Sequence, residues 1–148
     1  MNPPSRPELA QLFEHSTAGF AVQCPEGSWL GFNRAFKALV GYDDAELRAR
    51  TLLDLVHPED RERCREQLQR LRTGEISGFR IDKRGLRMDG REIWMRLDVF
   101  AVTDDLGAPQ SIILHAHDTT ASRQVLQQLA VNEERLRSII RSMGEGVI

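Results

Sequence analysis

The sequence predicts an α+β domain followed by a long C-terminal helix. Three observations carry this. Segments 19–24, 28–32 and 76–118 read as strands, in two groups. Several short helices and one longer one, over 58–73, separate the groups. From Thr119 the period turns helical, and no proline or glycine follows until Gly144.

The 148 residues suffice for one domain and a short appendage. A hydrophobic share of 41% against 28% charged residues lets a core form. Lys and Arg number 20 against 22 Asp and Glu, a net charge of -2, without the basic excess of a nucleic-acid footprint. No apolar run approaches the roughly 20 residues of a membrane helix. The Met1–Pro7 segment lacks the apolar core of a signal peptide. Cys24 and Cys64 make no disulfide framework. A cytoplasmic location is expected, either of a soluble protein or of the cytoplasmic part of a membrane-anchored receptor.

Residues 1–7 hold three prolines and read as a lead-in, after which Leu9, Leu12 and Phe13 take helical spacing to about Glu14. The strands at 19–24 and 28–32 flank a Pro25-Glu26-Gly27 turn. Asn33 is a good N-cap for a helix over 34–40, with Gly41 as its stop. Asp43 and Glu46 have capping-box spacing for another short helix. Pro58, Glu59 and Asp60 suit the first turn of the longer helix, and Gly74 ends it. Cys64, Leu68 and Leu71 form its apolar stripe. Arg61, Arg63, Arg65, Arg70 and Arg72 read as a solvated face interleaved with Glu62 and Glu66 rather than an anion-binding strip.

Three further strands are expected over 76–88, 93–103 and 110–118, joined at Asp89-Gly90 and at 104–107. In the middle strand Ile93, Met95, Leu97, Val99 and Ala101 share one wholly apolar face. The other face holds Trp94, Arg96, Asp98, Phe100 and Val102, too apolar to be left bare, and either the N-terminal helix or a second subunit should cover it. Lys83, Arg84 and Gly85 interrupt the alternation of the strand before it, with Gly85 marking a bulge or a close backbone approach. In the C-terminal helix Ser122, Leu126, Leu129, Glu133, Leu136, Ile140 and Met143 alternate spacings of four and three. This is a heptad seam interrupted by Glu133, and it fits either a coiled coil or an amphipathic helix docked on its own domain.

Five motifs resemble those of the PAS family. Leu12-Phe13-Glu14-His15-Ser16 with Gly19-Phe20-Ala21-Val22 is similar to the opening of many PAS domains. Phe32-Asn33-Arg34-Ala35-Phe36 with Val40-Gly41-Tyr42 resembles the family's Asn-x-Ala…Gly-Tyr run. Asp54 to Arg61 resembles its His-Pro-Glu-Asp start of the long helix. Asp89-Gly90 with Trp94 resembles the central hairpin, and Asp118-Thr119-Thr120-Ala121-Ser122-Arg123 the Asp-Ile-Thr-x-x-Arg ending. The resemblance covers residues 12–123 and implies a five-stranded antiparallel sheet flanked by short helices, with residues 1–11 as a lead-in. A second, shorter resemblance, Asn132 to Ile140 and then Met143-Gly144-Glu145-Gly146-Val147-Ile148, is similar to the start of another PAS domain. It implies that 124–143 is a linker helix and that 144–148 begin a following domain.

The resemblance implies a sensory input module of a bacterial signalling protein with an output domain further along the same chain. That output would be a diguanylate cyclase, a cyclic-di-GMP phosphodiesterase or a histidine kinase. A small-molecule ligand would lie in an apolar pocket lined by Phe36, Leu39, Leu53, Val56, Leu97, Val99 and Ile113, residues an ordinary core also needs. The cofactor stays unknown. The Asn-Cys-Arg-Phe-Leu run of flavin-cysteinyl light sensors is absent and Cys64 reads as a small core residue, while the 58–73 helix offers no histidine for the family's haem mode. His57 reads as a capping residue. His115 and His117 share a strand face whose spacing could serve a metal, but the nearby carboxylate in sequence, Asp118, points the other way. They read as hydrogen-bonded histidines or a polar rim, and no metal or catalytic site is assigned.

Signal relay is assigned to Asp118 and Thr120 as helix caps and Arg123 as an ion-pair partner. A homodimer is expected, with Trp94, Phe100 and Val102 on the sheet and Leu126, Leu129, Leu136 and Ile140 on the helix as interface. The competing reading is a ligand-free, constitutive dimerisation module. An enzyme would need converging ionisable groups in a cleft, and the sequence offers only the histidine pair.

Overall fold

A computed structural model describes residues 6–146. The described residues form two compact units that follow one another along the chain, the first ending at Asp118 and the second beginning at Thr119.

The first unit opens with helix α1 (Arg6–His15) and strands β1 (Gly19–Gln23) and β2 (Trp29–Phe32). Two short helices follow, α2 (Arg34–Val40) and α3 (Asp44–Arg48), each started by its expected cap. Asn33 accepts from the Phe36 N–H, and Asp43 and Glu46 close a capping box. Gly41, at φ 77°, stops α2 in the left-handed conformation that glycine adopts without strain. A 3₁₀ turn (Leu52–Leu55) leads to α4 (Pro58–Arg72). His57 caps α4, its Nδ1 accepting from the Glu59 N–H at 3.1 Å while Nε2 lies 3.0 Å from Glu92.

Strands β3 (Gly78–Leu86), β4 (Glu92–Thr103) and β5 (Pro109–Asp118) complete one antiparallel sheet in the order β2-β1-β5-β4-β3. One face carries Ala21, Ile81, Leu97, Val99, Ile112, Leu114 and Ala116, which pack with Phe36, Leu47, Val56, Cys64, Leu68 and Leu71 from the helical side. Strand parity places Lys83 on this inner face and Arg84 on the outer one. The β3–β4 pairing runs without a register shift from Gly78 to Leu86, so no bulge occurs at Gly85. The close approach does occur there: a Cβ on Gly85 would fall 2.7 Å from Cε of Met95, and Val56 bridges to the same residue.

Helix α5 (Thr120–Gly146) forms the second unit. It carries the predicted seam, with Leu126, Leu129, Leu136, Ile140 and Met143 exposed along it. Glu133, the polar seam position, lies 2.6 Å from Arg137 one turn on. The helix extends through Gly144 and Gly146, and Val147 and Ile148, the last residues of the expected start of a following domain, lie outside the described residues.

Candidate functional site

Three regions of the first unit carry the residues that sequence reasoning singled out. The first is the inner face of the sheet. Phe36, Val56, Leu97 and Val99 are buried in one apolar cluster, with Leu39 and Leu53 packed against it. Ile113 is a correction to the expected pocket. The β5 register pairs it with Phe100 and Val22 on the outer face, and its neighbours Ile112 and Leu114 take the inward positions. Cys64 lies fully buried in the same cluster, and burial pushes its thiol pKa up, so it is a poor nucleophile there.

Lys83 also enters this region and is 1% exposed. Its Nζ lies 3.2 Å from Sδ of Met95, a weak acceptor. Burial lowers its pKa to about 8, against smaller opposing effects of Cys64 and Asp60. The amide of Gln23 is buried on the inner face too, and its Oε1 has no hydrogen-bond partner. Asn33 is the opposite case. Its Oδ1 accepts from the N–H groups of Phe20 and Phe36, both at 2.9 Å. Its Nδ2 donates to the carbonyls of Phe13 at 2.7 Å and Ala18 at 2.9 Å. One buried side chain thus ties α1, β1 and α2 together, well beyond the capping role read from sequence.

The second region is the outer face at β3 and β4. Arg84 donates to Asp60 and Glu59 on α4 and stands over the Trp94 ring, 5.7 Å from its centroid. Burial alone would raise the Asp60 carboxyl. The Arg84 side chain and backbone N–H outweigh it and hold the group below its ordinary value. Trp94 is half-buried, while Phe100 and Val102 stay 43% and 37% exposed. Helix α1 reaches the outer face elsewhere, through Phe13 against Phe20, with ring centroids 6.4 Å apart. Four of the five α4 arginines have partners in the domain: Arg61 donates to the Val56 carbonyl, Arg63 to that of Asp82, and Arg65 and Arg70 pair with Glu62 and Glu75. The solvated-face reading of that strip fits these partners.

The third region is the outer face at the end of β5. The imidazole of His115 stacks on Phe20, with centroids 4.5 Å apart and planes 9° from parallel. His117 meets His115 edge-on at 4.1 Å. Asp98, directly opposite His115 in the β4–β5 pairing, brings Oδ2 to 3.8 Å from His115 Nδ1, while Arg80 donates to its Oδ1 at 2.6 Å. Burial and His117 lower the His115 pKa, and Asp98 opposes them. Asp98 is the residue sequence reasoning missed beside the histidine pair, although its place on the outer face of β4 was legible. At the same end of the strand Thr17, Gly19, Leu39, His117 and Asp118 help line a cleft of about 510 Å³.

Of the relay residues, Asp118 is the exposed last residue of β5, Thr120 is the first of α5, and the Arg123 N–H donates to the Thr119 carbonyl at 2.9 Å.

The family model of the PAS fold matches residues 13–124. A probable diguanylate cyclase, DgcE, of Escherichia coli strain K12 is 33% identical over 128 residues, covering 84% of this chain and 12% of that protein. The sensor histidine kinase TmoS of Ectopseudomonas mendocina is 26% identical over 136 residues, covering 90% and 14%. The chain therefore spans about an eighth of the length of these relatives. Among solved structures, a PAS domain from Colwellia psychrerythraea superposes with a TM-score of 0.70 at 16% identity, over 78% of this chain and 97% of that one. The likeness extends to the five-stranded antiparallel sheet with its flanking helices.

Proposed function

The chain belongs to the PAS family, and from that membership we propose that it is the sensory input module of a larger bacterial signalling protein. It is a regulatory module rather than a catalytic domain. The observation that carries this reading is the succession of a PAS sheet ending at Asp118 and a helix of 27 residues that begins at Thr120 with an apolar seam. The strand and the helix are consecutive in the chain, so a change in the β5 register has a covalent route into α5.

The similarity to a probable diguanylate cyclase and to a sensor histidine kinase supports an output of one of those two kinds in the same chain. Two copies would pair their α5 seams as a parallel coiled coil, with Leu126, Leu129, Leu136 and Ile140 at the contact. Exposed Phe100 and Val102, on the same face of β4 as Trp94, would add a sheet contact between the copies. Asp118, Thr120 and Arg123 would couple strand to helix. No described helix is long and apolar enough to cross a membrane, and a cytoplasmic place for this segment accords with its composition.

A stimulus molecule would enter among Phe36, Leu39, Leu53, Val56, Leu97 and Val99. Full burial of Phe36, Val56, Leu97 and Val99 favours a second reading, a ligand-free dimerisation module. Native mass spectrometry with a visible absorption scan separates the two. A dimer carrying a bound small molecule supports sensing, and a clean dimer supports the second reading. A wild-type chain that is monomeric, or a dimer that Leu129→Asp leaves intact, contradicts the paired helix.

A further inference from the structure

We infer that Asp98, His115 and His117 form a surface site for a borderline divalent cation of the zinc type. The inference stands apart from the sensory reading and concerns the outer face of the sheet. One ligand atom from each residue can be chosen so that all three lie within 4.8 Å of one another. The donor set is two imidazoles and one carboxylate. That set suits Zn²⁺, Co²⁺ or Ni²⁺ and is poor for Mg²⁺ or Ca²⁺, which take oxygen ligands.

The backbone supplies most of the geometry. Asp98 and His115 are direct cross-strand partners, and His117 follows on the same face of β5. Zinc ligands at about 2.0–2.2 Å from the metal lie roughly 3.4 Å apart when tetrahedral. From separations of up to 4.8 Å, the three atoms therefore need to close by at most about 1.4 Å. The exposed ring of His117 is free to swing, whereas His115 is fixed by its stacking on Phe20.

Asp98 is already divided in function. Arg80 holds Oδ1 at 2.6 Å, and Oδ2 is the oxygen that faces His115. A monodentate carboxylate anchored through its other oxygen is a usual arrangement around protein-bound metals. The positive charge of Arg80 opposes the cation, which makes this a weaker site than a buried structural one. Three protein ligands leave a fourth position open to water or to a ligand from another molecule.

The test is titration of the whole 148-residue chain with Co²⁺, read by its visible d–d absorption, and then displacement by Zn²⁺. One saturable equivalent per chain is expected. His117→Ala, on an exposed side chain whose loss leaves the core intact, should weaken binding at least tenfold. Asp98→Asn should do the same. His15→Ala, on an exposed histidine of α1, should leave binding unchanged. A thermal melt with and without Zn²⁺ gives an independent readout, a rise in wild type and none in His117→Ala. The inference is overturned if no saturable equivalent binds, if binding survives both His117→Ala and Asp98→Asn, or if His15→Ala abolishes it.

Discussion

Lys83→Met takes a charge out of the domain's core and replaces it with an apolar chain of similar length. The wild-type ammonium is 1% exposed, and its hydrogen-bond acceptor is the Met95 thioether. Its pKa falls from the ordinary 10.5 to about 8. At about 1.4 kcal/mol for each tenfold change in proton affinity, that gap corresponds to about 3 kcal/mol of destabilisation while the amine stays charged. Some of this returns as imperfect repacking, so Lys83→Met should gain about 1–3 kcal/mol at pH 7. The sign with pH follows from linkage. Between about 8 and 10.5 the unfolded chain binds more protons than the folded one, so wild-type stability rises with pH across that window. The mutant lacks this rise, and its advantage should shrink toward pH 10.5. Urea unfolding at pH 7 and pH 10 measures both, as a shift of the midpoint at constant slope. A variant less stable than wild type at pH 7, or an advantage independent of pH, would refute the reasoning.

Three further outcomes follow from the same contacts. Asn33→Ala leaves two N–H groups and two carbonyls without their partner and should destabilise by about 3 kcal/mol, read by thermal or urea unfolding. Asp60 has a lowered folded pKa, so its stabilisation is complete above the ordinary 3.8 and is lost as pH falls through the lower folded value. Arg84→Ala should therefore destabilise the domain at pH 7 and flatten that acid limb in a pH series of unfolding curves. In the native protein a thiol reagent should label Cys24, which is partly exposed, and reach Cys64 only on unfolding. Mass spectrometry of the labelled peptides checks this.

Local signals were the legible part of the sequence. Asn33, Gly41, the Asp43–Glu46 pair and His57-Pro58 each act within a few residues of themselves, so spacing alone placed the helices they begin or end. The family motifs likewise lie at these joints. Parity was harder. Ile112-Ile113-Leu114 is apolar on both faces of β5, so its pattern does not say which side is inward, and the fold turns Ile113 outward. Lys83 breaks the alternation of β3, and a lysine is rarely fully buried. Its inward position emerges from the unbroken pairing with β4. The Asp98–His115 contact depends on the β4–β5 register, which joins residues 17 apart in sequence through a turn whose exact pairing the sequence left open. Asn33 shows a different limit, since its cap was readable and its bonds to Phe13 and Ala18 needed the tertiary fold.

Relay from sheet to helix is tested most directly in a chimera that places this chain ahead of a diguanylate cyclase or histidine kinase output domain. Residues are inserted singly after Met143, from none to fourteen, and output activity is measured for each length. A paired α5 that transmits its seam predicts activity that repeats with a period of seven residues. Asp118→Ala in the parent chimera should change the level without unfolding the domain. Activity that is flat or falls smoothly with length, together with an Asp118→Ala chimera indistinguishable from its parent, would contradict the account.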